Sequence, residues 1–125
     1  MTSSKKLPKS LTVHIDCRKL TPIEKNFTAV FEKKFRWPPG YISPPRDAFR
    51  DLMGDLDDQN LRPIVRRGGV VTIHFSHFLH FKKREQKFAL EMLMHLAEVN
   101  AHRMSLGREP LINVAIDTLE AWYAP

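Results

Sequence analysis

Hydrophobic residues recur along the chain with two different periods. They alternate with polar residues over residues 11–17, as in a half-buried strand, and they recur every three or four residues over 23–35, as on one helical face. Residues 70–75 are rich in β-branched and apolar side chains on both faces, which predicts a strand in the centre of a sheet. A second helical period runs over 85–104, and residues 111–117 predict a last strand.

The segment between the first helix and the central strand, residues 37–58, begins with two proline pairs, at 38–39 and 44–45. Each proline fixes its own φ and restricts the residue before it, so these pairs predict a stiff loop. A helix is expected to begin at the second pair, because Ser43 is a favourable N-cap and proline suits the first helical position.

The helix predicted after this loop has two distinct faces. One face is apolar, with members at i, i+3, i+4 and i+7: Phe49, Leu52, Met53 and Leu56. The other face is acidic, with carboxylates four, four and three residues apart: Asp47, Asp51, Asp55 and Asp58. This acidic row is either an ordinary solvated face or a recognition face for a cationic partner.

The order of elements is strand, helix, helix, strand, helix, strand. It predicts an α/β fold in which a small three-stranded parallel sheet is packed by helices. At 125 residues the chain has the size of one domain. We expect a flexible basic tail over residues 1–10, the domain over 11–118 and a C-terminal tail over 119–125.

Charge is distributed unevenly along the chain, whose formal net charge is +6. Five of the 14 acidic residues fall within residues 46–58, and the rest of the chain, with 18 basic and nine acidic residues, carries +9. The single cysteine, Cys17, excludes an internal disulfide and is expected to be a small core residue. No apolar run is long enough to span a membrane and no secretory signal is readable, so the sequence predicts a cytoplasmic protein without a membrane partner.

The segment contains the pattern P-x-Y-x-x-x-x-x-D-A-x-x-D, carried by Pro39, Tyr41, Asp47, Ala48 and Asp51. This pattern resembles the centre of barstar-type ribonuclease inhibitors, and the order of elements is similar over residues 11–118. The chain departs from the family pattern at four positions, where the family has glycine, asparagine, leucine and tryptophan: Ser43, Pro45, Arg46 and Arg50.

The resemblance implies a barstar-like layer fold and a role as an inhibitor or immunity protein for a ribonuclease or related toxin. In the family, this loop and helix insert into the nuclease active site, where aspartates occupy the place of substrate phosphates. Asp51 would then be the deepest anchor and Asp47 its neighbour, with Tyr41 packing from the loop. Asp55 would extend the acidic surface, and Glu98 falls where the family has a further acidic contact.

Basic residues outside this segment permit a second interpretation, a module that binds RNA or DNA. Six of them could follow a phosphate backbone: Arg62, Arg66, Arg67, Lys82, Lys83 and Arg84. Phe78 or Phe81 would then stack on bases. No nucleic-acid motif accompanies these residues and the acidic helix would repel the ligand locally, so this interpretation ranks second.

Three histidines spaced by three, His74, His77 and His80, raise the question of a metal site or of acid–base chemistry with Asp47 and Asp51. A strand that leads into a loop does not place three such residues on one face, and no nucleophile elbow, phosphate loop or H-E-x-x-H helix occurs. We interpret them as loop histidines between core phenylalanines. The expectation is a binding protein without catalytic residues, metal or cofactor.

Overall fold

The computed structural model describes residues 6–38 and 45–117, with the backbone alone at residues 45–48. The strands within these residues are β1 (Ser10–Asp16), β2 (Val70–Ser76) and β3 (Ile112–Ile116). The helices are α1 (Cys17–Leu20), α2 (Ile23–Phe35), α3 (Pro45–Gly54) and α4 (Gln86–Ser105), and two 3₁₀ turns cover Phe78–His80 and Lys83–Glu85. The predicted N-cap Ser43 and the predicted tail 119–125 lie outside the described residues.

The three strands form one parallel sheet in the order β1-β2-β3. In the shared register, Val13 is paired with Ile73, and Ile73 is paired with Val114. Parallel neighbours need crossover connections, and helices provide them here. The predicted fold class, a small α/β fold with a three-stranded parallel sheet and β2 in its centre, is confirmed.

The two faces of the sheet differ in burial. Residues at alternate positions, such as Val13, Ile73 and Phe75, are buried against the helices. The intervening positions carry polar side chains that are exposed or half-buried, among them Thr12, His14, Thr72 and His74. The helices therefore cover one face and leave the other accessible, whereas the apolar run at 70–75 predicted a strand covered on both faces. The strand begins at the predicted residue, extends one residue further, to Ser76, and has the predicted central position.

Aromatic rings dominate the layer between the sheet and the helices. The ring of Phe31 lies 4.7 Å from that of Phe27 and 5.0 Å from that of Phe49, and so ties α2 to α3. At the end of α2, the rings of Phe35 and Trp37 stack with centroids 5.3 Å apart. Because these side chains are buried, α3 has a fixed position on the core.

Residues 21–24, Thr-Pro-Ile-Glu, have the form of a capping box, with Thr21 predicted as the N-cap and Glu24 three residues after it. In the structure the amino terminus of α2 is capped differently. Helix α2 begins at Ile23, and Pro22 at the cap position provides no side-chain hydrogen bond. The carboxylate of Glu85, 62 residues away, accepts hydrogen bonds from the Ile23 N–H at 2.6 Å and the Thr21 hydroxyl at 2.6 Å. The predicted cap within residues 21–24 is therefore wrong, because a tertiary contact supplies the acceptor.

Helix α3 is shorter than the predicted acidic row requires. It ends at Gly54, and Asp55, Leu56 and Asp57 form turns after it. Asp58 lies outside the helix, where its carboxylate accepts a hydrogen bond from the Asn60 N–H. The acidic face of α3 and the residue after it therefore contains Asp51 and Asp55 but not Asp58.

Cys17 follows β1 and is fully buried, as predicted for a core residue. Burial raises the pKa of its thiol to about 12, so the thiolate that reacts with electrophiles is scarce at neutral pH. Among the helices that the structure describes, none has both the length and the apolar composition that crossing a bilayer requires.

Candidate partner-binding groove between helices α3 and α4

Helices α3 and α4 enclose a groove of about 690 Å³ along their line of contact. Three of the five predicted partner-binding residues line it, Asp51 and Asp55 from the α3 side and Glu98 from α4. The structure thus brings these three together. The fourth, Asp47, belongs to the first turn of α3, but its side chain is not among those described, and Tyr41 lies outside the described residues.

Asp51 is exposed on the second half of α3. No described side chain forms an ion pair or a hydrogen bond with its carboxylate. Asp55, the first residue after α3, lines the same groove, and the negative charges of the two carboxylates repel each other. Neither carboxylate has an ion-pair partner among the described side chains, so the pair is available for a partner that supplies positive charge.

Asp55 is partly buried and has no ion-pair partner among the described side chains. Burial raises the pKa of its carboxyl group, and the negative charges of Asp58 and Asp51 raise it further, while Arg108 opposes the shift. The ionised form of Asp55 is therefore under electrostatic strain in the isolated protein. A cation placed in the groove would relieve this strain.

Glu98 is already engaged within the protein. Its carboxylate lies 3.5 Å from an Arg50 guanidinium nitrogen and 3.0 Å from His95 Nδ1. Arg50 thereby connects α3 to α4. A cationic partner would have to compete with Arg50 for Glu98, so Glu98 is less accessible to it than Asp51 and Asp55 are.

Asp57 does not contribute to an exposed acidic surface. Its two carboxylate oxygens accept hydrogen bonds from Arg103 Nη1 and Nη2 at 3.1 and 3.0 Å, and both side chains are at least 96% buried. Arg103 also donates to the carbonyl oxygens of Gly54 and Glu109, and the Gly68 N–H donates to Asp57. These bonds fasten the end of α3 to α4 and fix the shape of the groove.

This buried pair was missed by reasoning from the local pattern, which counted Asp57 with the acidic cluster. A signal was nevertheless present on α4. Arg103 recurs at i+7 from Leu96 and i+4 from Val99, both buried, and so stands on the inward face of the helix. An arginine at such a position requires a buried acidic partner, because an unpaired buried charge is very costly.

The internal pairs leave a definite balance of charge in the groove. Arg50 pairs with Glu98, and Arg103 pairs with Asp57. Arg108 also faces Asp57, with Nη2 3.6 Å from Oδ1. Asp51 and Asp55 form no ion pair with a described side chain, so the groove is suited to a partner that supplies positive charge to both.

The candidate residues for nucleic-acid binding do not form one surface. Arg62, Arg66 and Arg67 precede β2, whereas residues 82–84 follow it, so the two sets lie beyond opposite ends of a seven-residue strand. Such a strand is about 20 Å long. Phe81 is buried, and the half-buried Phe78 packs its ring against Phe75 and Phe81, so neither ring is presented for stacking on bases.

The three histidines at 74, 77 and 80 do not gather around a common point. In residues 6–38 and 45–117, no group of three or more His, Cys, Asp or Glu side chains has a geometry that could hold a metal ion. The His74 ring instead contacts the His14 ring edge to face, with centroids 5.3 Å apart on the accessible face of the sheet.

Comparison with known proteins identifies no relative of this chain. No family model, no curated protein and no solved structure matches the chain.

Proposed function

We propose that this protein binds and blocks a ribonuclease or related nucleic-acid-processing toxin, and that the acidic side of α3 enters the active site of that toxin. The observation that carries the proposal is the state of Asp51 and Asp55. Both carboxylates face one groove without a cationic partner among the described side chains, and the pKa of Asp55 is raised. This arrangement destabilises the free protein slightly and favours a complex that supplies positive charge.

The chemistry of a ribonuclease active site supports this choice of partner. Such a site binds a polyanion and is therefore cationic, so carboxylates held on a helix can imitate the phosphates. Hydrogen bonds from arginine or lysine to carboxylates are stronger than neutral ones and fix geometry. A helix fixed to the core by Phe49 and by the Asp57–Arg103 pair loses little conformational freedom on docking.

The charge of the remaining chain restricts the partner further. Because residues outside 46–58 carry +9, a uniformly basic toxin would be repelled at long range. The proposed partner therefore combines a cationic active site with acidic surface elsewhere, which would also raise the rate of association. An inhibitor of this kind protects the cell that makes the toxin, so we propose a cytoplasmic site of action and a role without catalysis or cofactor.

The test is binding of the purified protein to a panel of catalytically inactive bacterial ribonuclease toxins, measured by calorimetry. Asp51→Ala and Asp55→Ala are the test variants, and Glu109→Ala is the matched control, because it removes one exposed carboxylate outside the groove. The proposal expects tight binding to at least one toxin, a loss of at least tenfold in each test variant and no change in the control.

Two outcomes would overturn the proposal. One is the absence of binding to any member of the panel. The other is binding that is weakened equally by Glu109→Ala and by Asp51→Ala, since a general charge effect does not distinguish the groove from the rest of the surface. Circular dichroism of each variant establishes that the fold is retained.

A further inference from the structure

We infer that the groove beside the outer edge of β1 binds an extended acidic segment of a partner protein, which adds to the sheet as a fourth strand. This site is separate from the α3–α4 groove and does not rest on the function proposed above. Four observations carry the inference: the position of the groove, its charge, the accessible strand edge and the chemistry that this edge requires.

The groove has a volume of about 910 Å³ and runs along β1, between the end of α2 and the loop at residues 62–64. Leu11 and Val13, which point to the helix side of the sheet, line it together with Thr12 and His14, which point to the accessible face. A groove that reaches successive residues on both faces of a strand lies at the edge of that strand.

The charged side chains that line the groove are all cationic. They are Lys34, Arg36 and Arg62, and no carboxylate stands among the described lining residues. Lys34 and Arg36 form no ion pair with a described carboxylate. The electrostatic complement of this groove is acidic.

The edge of β1 is available for main-chain hydrogen bonds. In the sheet order β1-β2-β3, β1 has a neighbour on one side only. Apart from the ladder to β2, no hydrogen bond from another described segment reaches the backbone of residues 11–15. An edge strand in this state presents alternating N–H and C=O groups, which is the template that strand addition uses.

This edge favours a polypeptide over a nucleic acid. Each outward C=O of β1 needs a hydrogen-bond donor, and a peptide strand supplies an N–H at the matching spacing. A phosphate backbone offers only acceptors, so it would neutralise Lys34 and Arg36 while leaving the strand carbonyls without partners. The side chains of an added strand alternate between faces, so a segment with acidic residues at every second position places all of them on one face. In the register that turns this face toward α2, they meet Lys34 and Arg36.

The experiment measures fluorescence anisotropy of labelled peptides with the full chain. The test peptide is four Glu-Val repeats, and the composition control is two Glu-Glu-Val-Val repeats, which divide the carboxylates between both sides of a strand. Two further test peptides carry N-methyl groups on all valines or on all glutamates. Since a strand uses alternate residues toward each neighbour, one of these two should lose binding and the other should retain it. A twelve-nucleotide oligothymidylate tests the nucleic-acid alternative.

The site variant is Lys34→Glu with Arg36→Gly. Glycine is chosen because Arg36 has a φ of 60°, a conformation that glycine adopts without strain. The matched control is Lys83→Glu with Lys87→Gln, which makes the same change in net charge at exposed positions outside the groove. We expect binding of the alternating peptide to fall at least tenfold in the site variant and to be unchanged in the control.

The inference is overturned by any of three results. These are no measurable binding of the alternating peptide, equal binding of the Glu-Glu-Val-Val peptide or the oligothymidylate, and identical affinities for both N-methylated peptides. The last two would mean that the groove attracts anions by charge alone and that the strand edge takes no part. None of these results bears on Asp51, so failure here is distinguishable from failure of the proposed inhibitor function.

Discussion

Asp55 and Asp57 lie two residues apart after the end of α3, and their carboxyl groups have different surroundings. Burial raises the pKa of Asp55, and neighbouring aspartates raise it further. Burial also favours the neutral form of Asp57, but hydrogen bonds from Arg103 and the Gly68 N–H outweigh it and lower the net pKa. The two aspartates of this acidic segment therefore have different roles. Asp57 holds the helix in place, and Asp55, with Asp51, remains available to a partner.

The largest expected effect comes from removing the charge of Asp57, the aspartate that holds α3 in place. Asp57→Asn removes the negative charge that neutralises Arg103, so an uncompensated guanidinium remains in the interior. Losing one member of a buried pair costs about 3–5 kcal/mol. We expect the free energy of unfolding, measured by urea denaturation, to fall by this amount.

The double variant Asp57→Leu with Arg103→Met distinguishes charge from packing. Replacing both members of a buried pair by apolar residues is often close to neutral, so we expect the double variant to recover more than half of the loss. If Asp57→Asn costs less than about 1 kcal/mol, or if the double variant is less stable than the single one, the pair does not fix α3 as described.

Glu85 provides a second structural carboxylate, and we expect Glu85→Ala to lower the free energy of unfolding by about 1–3 kcal/mol because the buried Ile23 N–H loses its acceptor.

Burial raises the pKa of Glu85, but hydrogen bonds from Thr21 and from the N–H groups of Ile23 and Lys82 bring the net value below its ordinary 4.5. The folded state therefore binds this proton less readily than the unfolded state. The contribution is complete above about pH 4.5 and is lost as the pH falls through the lower, folded pKa.

Urea denaturation of the wild type and of Glu85→Ala between pH 3 and pH 7 checks this dependence. The two curves should converge toward acid pH, since protonated Glu85 no longer contributes as a carboxylate. A constant difference across the range would show that the variant loses packing and not an ionised cap. Glu24→Ala, at an exposed position in the first turn of α2, is the control for a local charge effect.

Glu85 and Asp57 also show what the sequence could and could not predict. The strands and helices follow from hydrophobic period, which records the buried face of each element within a few neighbouring residues. The partners of Glu85 and Asp57 lie 62 and 46 residues away, so no local pattern contains them. The capping box at 21–24 was predicted wrongly for this reason.

The candidate groove was predicted in part. The spacing of Asp51 and Asp55 placed both on one side of a helix, and the resemblance added Glu98 from α4. Helix α3 ends at Gly54, where the Arg103 guanidinium donates a hydrogen bond to the Gly54 carbonyl oxygen at 3.1 Å. Because the helix ends there, Asp58 does not belong to the acidic row. Neither the spacing nor the resemblance predicted that Arg50 would pair with Glu98.

A smaller effect, of opposite sign, is expected from a change at Asp55, the aspartate that has no ion-pair partner among the described side chains. Asp55→Asn removes a partly buried negative charge and its repulsion with Asp51 four residues earlier. We expect the free energy of unfolding at pH 7 to rise by about 0.2–0.5 kcal/mol, the usual size of a like-charge pair on a helix. Because the folded pKa lies above the ordinary 3.8, the ionised group opposes folding at higher pH, and the gain should disappear below about pH 3.8.

Chemical denaturation at pH 3 and pH 7 measures this gain, with Glu109→Gln as the control for removing an exposed carboxylate elsewhere. A loss of stability in Asp55→Asn at pH 7 would mean that the carboxylate is a structural group like Asp57. Asp55 would then give no reason to expect a cationic partner, and the proposed function would lose its principal support.

A last small effect on stability is expected from the ion pair between Arg50 and Glu98, which also line the groove. The side chains of Arg50 and Glu98 are 42% and 45% exposed, so water screens their attraction and a pair of this kind contributes about 0–1 kcal/mol. Arg50→Ala should therefore change the free energy of unfolding by no more than this, and the fold should be retained. It should, however, release Glu98 from its guanidinium and make the groove more acidic.

The most informative measurement on Arg50→Ala is therefore ligand binding and not stability. Binding of spermidine, a small polycation, followed by calorimetry at low salt, should strengthen in Arg50→Ala relative to the wild type. It should weaken in Arg50→Ala combined with Glu98→Gln, because the released carboxylate is then removed. If Arg50→Ala leaves polycation binding unchanged, Arg50 does not shield Glu98, and Asp51 and Asp55 alone define the acidic surface that a toxin would meet.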